Sequence, residues 1–182
     1  EKRTGMKKFK GVMEAMTKLP DYYVHVFCPV NALNWLPKKR KRLILIGTRK
    51  PNNITEPKAL KKLPRLKDML EKNPDVEMPD YVIKRIEGKY RDLPIIIDAE
   101  QPNAVAPTCV AHYAKDLSTR LIKDKRSKYG VRPFSVREYA RLQGFPDDVY
   151  FESRRSSYKL IGNAVPVHMG KWIGEVAMKY FN

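Results

Sequence analysis

The chain has 182 residues, and its 37 Lys and Arg against 20 Asp and Glu leave a formal net charge of +17. That length supports an ordinary hydrophobic core without staples, and its two cysteines, Cys28 and Cys109, have no Cys-x-x-Cys or Cys/His ligand spacing, which excludes a disulfide framework and a zinc site. No apolar run nears the roughly 18 residues of a membrane span and no signal-peptide pattern opens the chain, so the expectation is a soluble intracellular protein with buried free thiols, no metal and no membrane partner.

A cation excess of this size calls for a polyanion. The basic residues are spread along the chain and interleaved with Tyr, Phe and Asn, without a basic amphipathic helix, which favours nucleic acid over a membrane. A basic protein that is merely soluble is the alternative. The first residue is Glu1 where a translated chain begins with Met, so sequence upstream is expected to be missing.

In chain order, Phe9, Val12, Met13, Met16 and Leu19 fall on one face of a helix over residues 6–19 that Pro20 ends. Residues 22–28 (YYVHVFC) and 43–46 (LILI) read as strands, the second buried on both faces as in the middle of an α/β sheet. From Thr48 to Val131 prolines recur and Lys is dense, the pattern of a second, looser lobe. It is predicted to hold a short helix within residues 60–70 broken at Pro64, an element of either type at residues 81–86, and strands at 94–97 and 108–113, the first opening on proline as edge strands do. Ser135 and Glu138 form a capping box for a helix running to about Gln143, with Gly144 as its left-handed stop and Pro146 beyond. A last helix carries Val165, Met169, Trp172, Ile173, Val176 and Tyr180 on one face, with Pro166 in its first turn.

The stretch RPFSVREYARLQGFPD at residues 132–147, followed by GNAVPV at 162–167, closely resembles the last two signature motifs of the cytosine-5 DNA methyltransferases. Upstream, VNALNWLPKKRKRLILIG at 30–47 is similar to that family's segment built around P-Q-x-R-x-R and a closing strand; Arg40 and Arg42 match, and Lys38 stands where the family has Gln. APTCVAHY at 106–113 resembles the end of the target-recognition region. The resemblance implies an α/β fold: an incomplete doubly wound S-adenosylmethionine-dependent methyltransferase sheet, with its last strands and C-terminal helix, plus a small mixed, mostly β target-recognition lobe. Residues 1–47 would then be the C-terminal part of the catalytic core, 48–131 the DNA target-recognition lobe, and 132–182 the motif region and helix returning to the core.

The family attacks cytosine C6 with the Cys of a Pro-Cys-Gln loop, binds S-adenosylmethionine on a Gly-rich turn, and holds the base with Glu-Asn-Val. None of these occurs intact. Cys28 precedes Pro29, the reverse order, and Glu1 is followed by Lys2 and Arg3, which leaves it as a functional remnant, a junction or the debris of a lost motif. The resemblance therefore implies the DNA-facing half of a split enzyme. It would act on duplex DNA as a heterodimer with a second chain or segment that carries the nucleophile and most of the cofactor pocket. The alternative is a non-catalytic DNA-binding or regulatory module.

For the residues present, the resemblance sets Arg40 and Arg42 beside the active site as accessory catalytic groups, one bracing the DNA backbone and the other reaching the flipped cytosine; a permanently charged planar fork suits either task. Read without it, residues 38–42 are equally a nuclear-localisation string or a solvated loop. Lys38, Lys39, Thr108, His112 and Lys115 would contact DNA, although Thr108 reads also as a strand threonine without a role and His112 as packing. Asn163 and Ala164 would complete the S-adenosylmethionine pocket; a turn and helix cap is the other reading. Arg137, Glu138, Gly144 and Pro146 read as scaffold.

Overall fold

The computed structural model describes every residue except Glu1, Tyr90, Leu93, Phe181 and Asn182, so the reading of Glu1 lies outside the described residues. By its contacts the chain forms two units: one gathers the chain up to Val30, Lys41–Pro57 and the chain from Trp172 onward, the other Asn31–Arg40 and Lys58–Lys171.

The first unit contains helix α1 (Lys2–Thr17) and strands β1 (Tyr23–Asn31) and β2 (Lys41–Thr48), which pair as a two-stranded sheet. Phe27 packs edge-on against Trp172, with ring centroids 5.2 Å apart. Leu43, Ile44, Leu45 and Ile46 are only half-buried, and Cys28 is exposed. Both differ from expectation. Half-burial of all four, whose side chains alternate between the two faces, means that neither face of β2 is fully covered by the described residues.

In the second unit, β3 (Ile95–Ile97), β4 (Arg120–Lys123) and β5 (Val131–Pro133) form a sheet in the order β3-β4-β5, the first pair parallel and the second antiparallel. The strand that Pro94 leads into is an edge, where a missing N–H costs no ladder bond. Leu121 and Ile122 on the central strand are fully buried, one toward each face. Helix α2 (Asp80–Glu87) settles the ambiguous segment: Val82 faces inward, and the Arg85 guanidinium bridges Asp116 at 3.0 Å and the Ser118 hydroxyl at 2.7 Å. Residues 60–70 hold a single 3₁₀ turn (Leu66–Met69) where a short helix was expected. Pro64 withholds an N–H and biases Leu63 to extended backbone, so only the residues after it can wind.

Residues 108–113 are not a strand. They run into a turn and a 3₁₀ turn (Tyr113–Lys115), because side chains satisfy their backbone. The Val110 N–H donates to the Tyr139 hydroxyl at 2.6 Å, that hydroxyl donates back to the Val110 carbonyl at 3.3 Å, and the Cys109 carbonyl accepts from Arg40.

The capping box is formed as expected, with the Glu138 N–H donating to Ser135 Oγ and the Ser135 N–H to Glu138, both at 3.0 Å, and it starts α3 (Val136–Arg141). Gly144 stops it at φ +82°, in the left-handed region. Helix α4 (Arg154–Asn163) was not foreseen: Ser153 caps it, and its buried apolar face is little more than Tyr158 and Ile161. Pro166 directly precedes α5 (Val167–Met178), which buries Met169, Trp172 and Val176. Val165, expected on that face, lies before the helix and is exposed.

The core of this unit centres on three tyrosines. Tyr113 and Tyr139 stack at 4.9 Å, and Tyr158 stands edge-on to both, at 5.1 and 5.3 Å. Each hydroxyl finds a main-chain partner, as burial of a phenol demands: Tyr113 donates to the Arg120 carbonyl and Tyr158 to that of Phe134. Burial pushes the Tyr158 phenol up to about 12 and the Tyr139 phenol well above its ordinary value. Tyr139→Phe leaves the Val110 N–H without its acceptor, at a cost of about 1–2 kcal/mol; the urea unfolding midpoint should fall accordingly, and an unchanged midpoint would mean that water replaces the hydroxyl.

Candidate functional site

The basic segment around residues 37–40 runs extended beside Ala106. The Ala106 N–H donates to the Pro37 carbonyl at 2.8 Å and the Lys39 N–H to the Ala106 carbonyl at 2.9 Å. An extended segment sends successive side chains to opposite sides, and that alternation sorts the cations. Lys38 and Arg40 point inward, fully and almost fully buried, while Lys39 is exposed. Past the alternating stretch, Arg42 is exposed as well, its Nη1 donating to the Lys41 carbonyl at 2.7 Å.

The inward pair are interior groups, not the DNA-facing cations expected. The Lys38 ammonium donates to Gln143 Oε1. Arg40 spreads its guanidinium over three carbonyls, those of Cys109 (3.0 Å), Gly162 (3.2 Å) and Ala164 (3.0 Å). Gln143 Nε2 donates to the carbonyls of Ile161 (2.5 Å) and Ala164 (3.1 Å). Together these side chains clamp the C-terminus of α4, satisfying carbonyls that a helix end leaves without intrahelical partners.

Asn163 is the last residue of α4, with an exposed side chain, rather than a residue on a separate turn. The Ala164 carbonyl is held by Arg40 and Gln143, and its N–H donates to the Leu160 carbonyl at 3.0 Å, so its main chain serves the clamp. Thr108 turns its hydroxyl onto the Lys39 carbonyl at 2.7 Å, while His112 and Lys115 are exposed at the turn that follows.

Arg137 donates to the carbonyls of Pro146 (3.2 Å) and Val149 (2.8 Å) and lies over the Phe151 ring, which fixes the loop after α3. Glu138 is fully buried against Arg132 in a two-pronged pair, both bonds 2.7 Å. Arg132 Nε also donates to Asp124 at 2.7 Å, and the guanidinia of Arg126 and Arg132 hold the Asp124 carboxyl well below the usual carboxylate range. A Cβ on Gly144 would lie 2.8 Å from His168 Nδ1, so the glycine serves both turn and packing.

Sequence reasoning missed Arg132 and Gln143. Both lie inside the quoted motif, where Arg132 was read only as its first residue and Gln143 only as a helix end. The partners of Arg132 are near, Glu138 of the capping box and Asp124 at 6 and 8 residues, and an acid so close was the signal; nothing local marks the partners of Gln143, which sit 18 to 105 residues away.

The chain belongs to the C-5 cytosine-specific DNA methylase family, whose model matches residues 2–179. Among its relatives, the type II methyltransferase M.Eco47II of Escherichia coli is 30% identical over 178 residues, covering 77% of this chain and 42% of that protein. M.MthTI of Methanothermobacter thermautotrophicus is 28% identical, covering 97% of the chain and 62% of the relative. The fold is that of methyltransferases solved from Entamoeba histolytica (EhMeth; TM-score 0.72, 15% identity, 96% of this chain and 58% of that one) and Schizosaccharomyces pombe, whose structure is described as S. pombe Dnmt2 (TM-score 0.69, 15% identity, 98% and 64%). The chain thus spans roughly half the length of the proteins it matches.

Proposed function

We propose that this chain is the DNA-binding, target-recognition half of a DNA (cytosine-5) methyltransferase, and that it acts once complemented by a segment bearing the Pro-Cys-Gln nucleophile. The observation that carries this reading is a family match over residues 2–179 in a sequence whose two cysteines, Cys28 and Cys109, both lack a preceding proline. Residues 1–47 and 132–182 contribute to the catalytic core and residues 48–131 form the target-recognition lobe. S-adenosylmethionine, when bound, supplies the methyl group that ends on C5 of a cytosine flipped from duplex DNA.

This chain's residues divide the remaining work. Exposed Arg42 faces the flipped base or its phosphate, Lys39 and Lys115 neutralise the DNA backbone, and His112 offers it a hydrogen bond. Lys38 and Arg40 act through position: by clamping the end of α4 they fix Asn163, whose exposed amide suits one edge of a cofactor pocket. The half-exposed apolar strand β2 and the exposed Phe9, Val12 and Met16 of α1 supply the surface for the complementing segment.

Mixing the chain with such a segment, S-adenosylmethionine and duplex DNA should give methyl incorporation that neither part gives alone. Arg42→Ala should lower that rate roughly 10²-fold, the scale of losing one preorganised donor, with an unchanged melting temperature because the side chain is exposed. A mixture that binds duplex DNA yet incorporates no methyl group would instead identify a non-catalytic module.

A further inference from the structure

Within the second unit, residues 60–65, residues 102–105 and Pro37 line a groove of about 640 Å³. Lys61, Lys62 and Arg65 are exposed, and no carboxylate is among the lining residues. Asn103 adds an amide to the lining, and Leu63, Pro64, Ala104 and Val105 add apolar surface. The walls are tied down by main-chain bonds: the Leu60 N–H donates to the Asn34 carbonyl at 2.7 Å and the Ala106 N–H to Pro37 at 2.8 Å. The nearby Asp68 carboxylate is turned back onto the Arg65 N–H, at 3.1 Å, and leaves the Arg65 guanidinium to solvent.

We propose that this groove holds the sugar-phosphate backbone of duplex DNA, with Lys61, Lys62 and Arg65 on successive phosphates and the apolar lining against deoxyribose. The proposal rests on the reading of the chain as half of a DNA methyltransferase. Three cations with no intervening acid suit a repeating anion, and the apolar lining suits a sugar between charges. Contacts of this kind give affinity and register without reading sequence, so the groove would act on every duplex alike.

The test measures binding of the intact chain to a fluorescent duplex across a salt series. Lys61→Glu/Lys62→Glu should weaken binding at least tenfold and lower the slope of log K against log salt by about 2, as expected for two lost phosphate contacts. Lys10→Glu/Lys179→Glu makes the same change in net charge on other elements and should leave the slope within about 0.5 of the original. Lys61→Gln/Lys62→Gln, which adds no repulsion, should shift the slope in the same direction and guards against misfolding of the reversed variant. If the groove variants bind like the control while the parent chain binds duplex, the groove proposal is overturned and the methyltransferase reading stands. A parent chain with no duplex affinity would overturn both. Tighter, equally groove-dependent binding of an RNA duplex would overturn the assignment to DNA.

Discussion

Arg132→Met is expected to destabilise the fold by about 3–5 kcal/mol, the cost of leaving one member of a buried ion pair without the other. Glu138 is fully buried, and besides both prongs of Arg132 it accepts the N–H groups of Ser135 and Glu71, each at 3.0 Å. Its carboxylate therefore ties β5, the start of α3 and the segment before residue 72 to one point. Burial works against the Arg132 charge, yet its bonds to Glu138 and Asp124 hold its pKa above the ordinary value. Methionine keeps the volume and removes every donor. Glu138→Gln, which keeps an acceptor for the main-chain amides, should cost less. Chemical denaturation of the three proteins measures the difference; a loss under about 1 kcal/mol for Arg132→Met would mean that water reaches the carboxylate.

Gly162→Ala is the second substitution with a large expected effect, about 3 kcal/mol or more. A Cβ there would stand 2.4 Å from the Ala111 nitrogen and 2.5 Å from the Val110 carbonyl carbon, both backbone atoms. Overpacking is milder where a flexible side chain can move aside; here α4 or the turn at residues 110–111 has to shift. That turn is held by the Tyr139 hydroxyl, and the Gly162 carbonyl by Arg40, so the strain spreads into the tyrosine cluster and the clamp. Gly170 and Gly174 on α5 are the internal controls: a Cβ at either meets nothing within 4 Å, and alanine there should be neutral or stabilise by up to about 1 kcal/mol. Equal unfolding midpoints for Gly162→Ala and Gly170→Ala would refute the close approach.

What was legible in the sequence was local. The Ser135 and Glu138 box, the Gly144 stop and the proline-led edge strand each depend on residues a few positions apart, and each formed as expected. The family was legible through contiguous motifs. Helix α4 escaped because its buried face is short and its first turn is polar, so no apolar period announces it. The segment at 108–113 misled because its composition suits a strand, while the groups that satisfy its backbone are the distant Tyr139 and Arg40. The run at 38–42 misled more deeply. Five consecutive cations read as groups facing DNA and the active site, or as a solvated loop or localisation string, and only the alternation imposed by Ala106, with carbonyls 69 to 124 residues away, turns two of them inward.

That clamp also orders events in time. Arg40 and Lys38 reach carbonyl and amide partners that follow them by up to 124 residues, so during synthesis they wait for most of the chain to emerge. Until the end of α4 arrives, the nascent polypeptide presents all five cations of residues 38–42 together; afterwards two are withdrawn into the interior. Closure over such a span falls late, since distant pairing must meet its loop entropy before any contact repays it. The growing protein therefore has a stickier polycationic stretch than the finished one, and the final helices are what quiet it.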